Sequence, residues 1–259
     1  MIERILKGLA PLAALAMGAT LSGCGNIDMK INGEEGVPLA ELDTANAAPT
    51  EVVVATNATV ILTEGDGLEI SVENDPETAL RFTLDENTLG VTSDPDLEIK
   101  DGAAIVRVTM PAPENIVIAG SGSVETAALS ANPELVIGGS GSIVMNSITT
   151  ETLEISIGGS GDIKGSGTTD RLEVTIGGSG NVDLAGLKAT NAEVSIGGSG
   201  SVSFASDGEV EANIAGAGDV NVTGNAKCTL NSFGSGSLNC TPTSADTEAE
   251  AEPVALEES

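Results

Sequence analysis

The pentapeptide Ile157-Gly158-Gly159-Ser160-Gly161 returns at Ile137, Ile176 and Ile196. A flexible linker, a phosphate-cradling loop, a calcium loop and a structural corner all use these residue types, and the fold follows from choosing between them. Aligned on the glycine that opens each Gly-Ser-Gly or related triplet, the copies fall at Gly120, Gly139, Gly159, Gly178, Gly198, Gly216 and Gly234, spaced 19, 20, 19, 20, 18 and 18 residues apart. Seven copies at one period are the mark of a solenoid. Two residues before the glycine stand Ile118, Ile137, Ile157, Ile176, Ile196, Ile214 and finally Ser232. Two earlier stand Ile116, Leu135, Ile155, Val174, Val194, Ala212 and Leu230, and four after stand Val124, Ile143, Ile163, Val182, Val202, Val220 and Leu238. Linkers have no reason to hold such a phase. The apolar columns predict aliphatic ladders pointing into a coil of strands, with rungs about 4.8 Å apart.

The ligand-loop readings fit less well. A phosphate loop needs a helix after its glycines, and here another strand pattern follows. The nonapeptide calcium repeat G-G-x-G-x-D-x-U-x needs a carboxylate at its sixth position. Ile143, Ile163, Val182 and Val202 stand there instead. What remains is a bend: glycine takes backbone conformations closed to other residues, and serine bonds to nearby backbone.

Outside the repeats the pattern is also strand-like. Residues 51–73, 80–93 and 103–120 alternate like strand and break at turn residues such as Glu64-Gly65-Asp66-Gly67. After the N-terminal leader no stretch sustains a helical period. The expected class is all-β: a single-stranded parallel β-helix of about seven coils over 118–240, preceded by a β-rich part over 37–117.

The ends carry their own signals. Arg4 and Lys7 precede an apolar run, Gly8 to Leu21, of 14 residues. A membrane-spanning helix needs about 20, so the run suits a signal peptide over 1–23. It closes in Leu21-Ser22-Gly23-Cys24, a bacterial lipobox. The expectation is lipid on Cys24, a tether over 24–36, and anchoring in the cell envelope by several acyl chains. Gly25 lacks the aspartate associated with inner-membrane retention, which points to the outer membrane, on its periplasmic face or at the cell surface. Residues 241–259 hold six acids, no base and two prolines and read as a disordered tail.

Composition removes several functions. The net charge of −29 repels nucleic acid and anionic headgroups. With no His, Trp or Tyr and three Phe, a Ser-His-Asp or Cys-His triad cannot be assembled within the chain. A lyase acting on acidic glycans would need bases, and residues 120–240 offer Lys164, Arg171, Lys188 and Lys227. Ranks of Thr-x-Thr for ice binding are absent from the sequence.

Two constellations remain. Glu134, Glu154, Glu173, Glu193 and Glu211 recur three residues before the aligned isoleucine, which places them in one outward column. Carboxylates one rung apart repel, so the column reads as a solvated face that resists edge-to-edge pairing, with a strip for divalent cations or a basic partner as the second reading. Cys228 shares a phase with Leu153, Leu172, Ala192 and Val210, and Cys240 with Leu184, Phe204 and Val222. Both should point inward in the last coil, which predicts a disulfide there, with two buried thiols as the alternative.

With the repeat in hand, the chain resembles the bacterial head GIN domain proteins, labelled "putative auto-transporter adhesins". The resemblance rests on VILTEGDGLEISVENDPETALRFTLDENTLGV, VRVTMPAPENIVIAGSGSVE and LEVTIGGSGNVDLAGLKATNAEVSIGGSGSV, and covers most of the chain beyond the leader. It implies a right-handed β-helical fold and export, often through a lipobox, but no established activity and no catalytic residues. The glutamate column and the acidic tail are not features it supplies. The functional expectation is a non-enzymatic cell-envelope lipoprotein, adhesin-like or scaffolding, that presents a flat acidic surface to an envelope, cell-surface or glycan partner and needs no cofactor beyond a weakly held divalent cation. The alternative is a glycan-active enzyme using a carboxylate pair.

Overall fold

The computed structural model describes residues 31, 35–75, 78–97 and 104–242. The leader, Cys24, most of the tether and the tail beyond residue 242 lie outside the described residues. Among the described residues the one helical element is a 3₁₀ turn at Leu39–Glu41, and no helix is long and apolar enough to cross a membrane.

Among the described residues seventeen strands form one sheet wound into a parallel β-solenoid with two long faces. On one face β1 (Glu51–Ala55), β7 (Asn115–Ile118) and β9 (Glu134–Ile137) stack in register, followed by the second halves of β10 (Ser142–Ile157), β11 (Asp162–Ile176) and β12 (Asn181–Ile196), then β14 (Glu209–Gly216) and β16 (Lys227–Gly234). On the other face lie β2 (Thr59–Glu64), β8 (Ser123–Thr126), the first halves of β10 to β12, β13 (Ser201–Ser206), β15 (Asp219–Thr223) and β17 (Ser237–Thr241). Each Gly-Ser-Gly corner carries the chain from the first face to the second.

The ladders predicted from the spacing are the core. Ile118, Ile137, Ile157, Ile176, Ile196 and Ile214 are paired rung to rung and are at most 2% exposed. Their partners two residues earlier and the Val/Ile column beyond the corner are equally buried. Phe204 and Phe82 are buried among aliphatic side chains. Burying one such side chain contributes about 1.5–3 kcal/mol, so the repeated ladder is what holds the stack.

The stack extends beyond the glycine-cornered rungs. β1 pairs under β7, and β2 under β8, so the "EVVVATNATVILTE" segment is itself a rung with Thr56 at its corner. Beneath it, β5 (Thr88–Ser93) runs parallel to β1 and β6 (Ile105–Met110) parallel to β2. The chain therefore lays one rung, doubles back beneath it, and returns to build upward. During the detour β3 (Glu69–Glu73) and β4 (Leu80–Leu84) pair antiparallel to β6 and β5 and end the stack on that side.

Candidate functional site

The corners are close-packed backbone. A Cβ on Gly139, Gly159, Gly178, Gly198, Gly216 or Gly234 would come closer than 3.0 Å to the carbonyl oxygen of the equivalent glycine in the rung beneath. The third glycine of each triplet is also confined: at Gly161 and Gly180 a Cβ would press on Ile137 and Ile157 and on the backbone beneath. The first glycine of Gly-Gly-Ser-Gly is different. At Gly158 and Gly177 the nearest atom to an added Cβ is 4.0 and 3.8 Å away, and the same place holds Ala119 and Ala215 in other copies. The corner amides are spent within the stack: Gly158 and Ser160 donate to Ile137 and Gly139 at 2.8 and 3.0 Å, and Gly177 and Ser179 to Ile157 and Gly159 at 2.7 and 3.0 Å. No anion-binding nest is left at these atoms.

The five glutamates occupy successive register positions on the first face: Glu134 beside Glu154, then Glu173, Glu193 and Glu211. Asn115 and Glu51 extend the column, and the Glu51 carboxylate accepts from Asn115 Nδ2 at 2.7 Å and Thr88 Oγ1 at 2.8 Å. Arg171 stands beside the column, donating to Glu173 and lying 3.5 Å from Glu193. Burial first, and then the Glu154 and Glu51 carboxylates, pushes the Glu134 carboxyl above the usual range. Burial and Glu173 do the same to Glu154. Among the described residues no three acidic, histidine or cysteine side chains converge as a metal site would require.

Further along this face a shallow polar groove of about 430 Å³ lies over Ala192 and Val210, flanked by Arg171, Glu193, Glu209, Glu211 and Lys227. Its acids have partners. Glu209 takes Lys227 at 3.0 Å, Glu193 faces Arg171, and Glu211 accepts from Asn231 Nδ2 at 3.2 Å. The groove and the two carboxyls with raised pKa, Glu134 and Glu154, sit on different rungs. Sequence spacing did not reveal the groove: Arg171 and Lys227 share one register column, but Asn191 and Glu209 fill it between them, so no repeated residue type marked it.

On the second face the outward columns are short and polar. Ser201 donates to Asn181, Ser203 to Asp183 at 3.2 Å, and Asn239 to Asn221 at 3.1 Å. At the final rung a disulfide joins Cys228 to Cys240, with Cα atoms 6.8 Å apart. Val210 is the register partner of Cys228 and Val222 that of Cys240, so the bond spans the end of the core between the two faces.

A family model described as "Putative auto-transporter adhesin, head GIN domain" matches residues 48–226, well over half of the chain. The chain belongs to the head GIN domain family. The matched segment starts just before β1, so the family's unit includes the rungs without glycine corners as well as the repeats. Solved structures agree on the fold. A "putative adhesin" from Bacteroides fragilis superposes with a TM-score of 0.63 at 19% identity, over 77% of this chain and 93% of that one. A "putative lipid binding protein" from Parabacteroides distasonis gives 0.58 at 20% identity, over 75% and 93%. A "putative adhesin" from Parabacteroides merdae gives 0.59 at 16% identity, over 77% and 94%. At these identities the likeness is one of fold. Among curated proteins none matches the sequence.

Proposed function

We propose that this head GIN domain protein is a non-enzymatic module of the cell envelope, held by lipid on Cys24 and offering its solenoid faces to a partner in adhesion or scaffolding. The observation that supports this most is the first face itself. Its side chains stand in straight columns across successive rungs, and Glu173, Glu193 and Glu209 are paired with Arg171 and Lys227. Solenoids bind along such extended surfaces, where contact area replaces a pocket. On this reading the glutamate column keeps the face solvated and selects against acidic partners. The adhesin description of the family and of two structural neighbours points the same way, by analogy of fold.

Labelling cells with an alkyne fatty acid tests the anchor. The wild-type chain should take up label and sediment with membranes, and Cys24→Ser should do neither. Protease treatment of intact cells then separates the roles. Release of the solenoid supports surface display and adhesion, protection supports a scaffold on the periplasmic face, and an unlabelled, freely soluble wild-type chain would contradict the anchored reading.

A further inference from the structure

Part of the span expected to be a tether is docked on the solenoid. Ile31 is 7% exposed, and a Cβ on the adjacent Gly90 would lie 2.5 Å from the Ile31 Cδ1 atom and 2.2 Å from Thr83 Oγ1. Gly90 stands in the middle of β5, where a missing side chain lets another segment approach closely. A Cβ on Gly36 would press on Arg81, and Val37 and Phe82 exchange backbone hydrogen bonds at 2.8 Å each way. Thr88, Gly90 and Thr92 form the side of β5 that points out of the core, yet all three are buried.

The outward column that passes through Gly90 changes character along the stack. From Gly90 it runs through Val53, Val117 and Val136, then turns polar at Ser156, Thr175 and Ser195. Val53 is buried although it points away from the core, and Val117 and Val136 are half-buried. β-Branched residues suit any strand, but the upper rungs place hydroxyls in this same column. The valines therefore mark the lower rungs as a place where something apolar lies on the outside. Just before Ile31 the sequence reads Ile27-Asp28-Met29-Lys30, outside the described residues, so apolar and charged residues alternate in strand fashion up to the docked isoleucine.

We infer that residues 27–31 form a strap across the outside of the lower rungs, with Ile31 on Gly90, Met29 over Val53 and Val117, and Ile27 over Val136. Continuity names the occupant: Ile31 already sits at the foot of the valine column, and the chain leading into it is apolar at every second residue. Spacing fits. Alternate side chains of an extended chain are about 6.8 Å apart, so Ile31 to Ile27 covers about 14 Å, and the three rung steps from Gly90 to Val136 also cover about 14 Å. Both patterns stop together. The rung after Val136 carries Ser156, and the residue two before Ile27 is Gly25. Asp28 and Lys30 fall on the opposite side of the strap and face solvent. With lipid on Cys24, the strap leaves a leash of Gly25 and Asn26 and holds the lower rungs beside the membrane. That consequence rests on the proposed anchor, but the docking does not.

The test follows tryptic cleavage after Lys30 in the full chain carrying Cys24→Ser, so that anchoring plays no part. A docked strap shields that bond, and Ile27→Ser with Met29→Ser should speed the cut roughly tenfold or more. Val117→Ser with Val136→Ser should speed it from the other side of the contact. All four together should add little beyond either pair, because both pairs remove the same contact. Benzoylphenylalanine in place of Met29 gives a second reading, and irradiation should join it to the chain's own β1 or β7. Wild-type cleavage as fast as in the variants, additive effects of the two pairs, an adduct to lipid, to a second copy or to another protein, or no adduct at all would each overturn the proposal.

Discussion

The interior rungs and the last rung share one coil geometry and treat their surfaces in opposite ways. In rungs built by β10 to β12, the inward columns are aliphatic, the corners are glycine packed on backbone, and the outward column is glutamate. The last rung keeps Gly234 and Gly236 at the same corner, where an added Cβ would still meet Gly216, Gly218 or Ile214. It loses the glutamates, sets Ser232 where isoleucine stood, exposes Phe233 and adds a disulfide. The corner is thus imposed by the rung beneath and survives to the end. The surface changes at the last rung of the described residues.

The sharpest way to break this comparison is to set two neighbouring glycines against each other. Gly178→Ala puts a methyl onto the Gly159 carbonyl, which cannot move without shifting the whole rung. It should cost about 3 kcal/mol in urea unfolding, whereas Gly177→Ala, with open space around it, should stay within about 0.5 kcal/mol of wild type. Equal effects would mean that the corner is not close-packed. Next in size is the disulfide, which closes a separation of 12 residues. Cys228→Ser paired with Cys240→Ser should lower stability by about 2–3 kcal/mol, with the loss confined to the last rungs in proteolysis.

A smaller effect separates the acidic interior from the neutral end. Glu134 and Glu154 have folded-state pKa values raised by burial and by neighbouring carboxylates, so their ionisation opposes folding. That penalty is complete at neutral pH and fades as the pH falls through the raised values toward the ordinary 4.5. Glu154→Gln should therefore be more stable than wild type at pH 7, by a few tenths of a kcal/mol and at most about 1, with the advantage gone near pH 4. A variant less stable at pH 7 would mean the column is held by attraction instead. The smallest change expected is Arg171→Gln. Its pairs with Glu173 and Glu193 are half exposed, so the loss should stay below about 1 kcal/mol and shrink with added salt.

The repeated part was legible because its stacking is local in phase: each ladder position recurs after 18 to 20 residues, and each corner glycine is demanded by the one before it. The same logic placed Cys228 and Cys240 on inward columns. The lower rungs were not legible as part of that stack. Thr56 stands at a corner without glycine, and the partner of β1 is β7, reached only after a detour through antiparallel strands. The difference between Gly177 and Gly178 is also invisible in the motif, because it depends on which way a Cβ would point against the rung beneath. That Phe233 and the acid-free residues 227–241 share one rung became visible only from the register.

Amide hydrogen exchange at the corners tests the central claim most directly. If Gly-Gly-Ser-Gly is stacked backbone, Gly158, Ser160, Gly177 and Ser179, which donate to carbonyls of the rung beneath, should exchange at least about a thousandfold slower than an unstructured chain. Exchange at the unstructured rate would contradict the account and return the motif to the class of flexible loops.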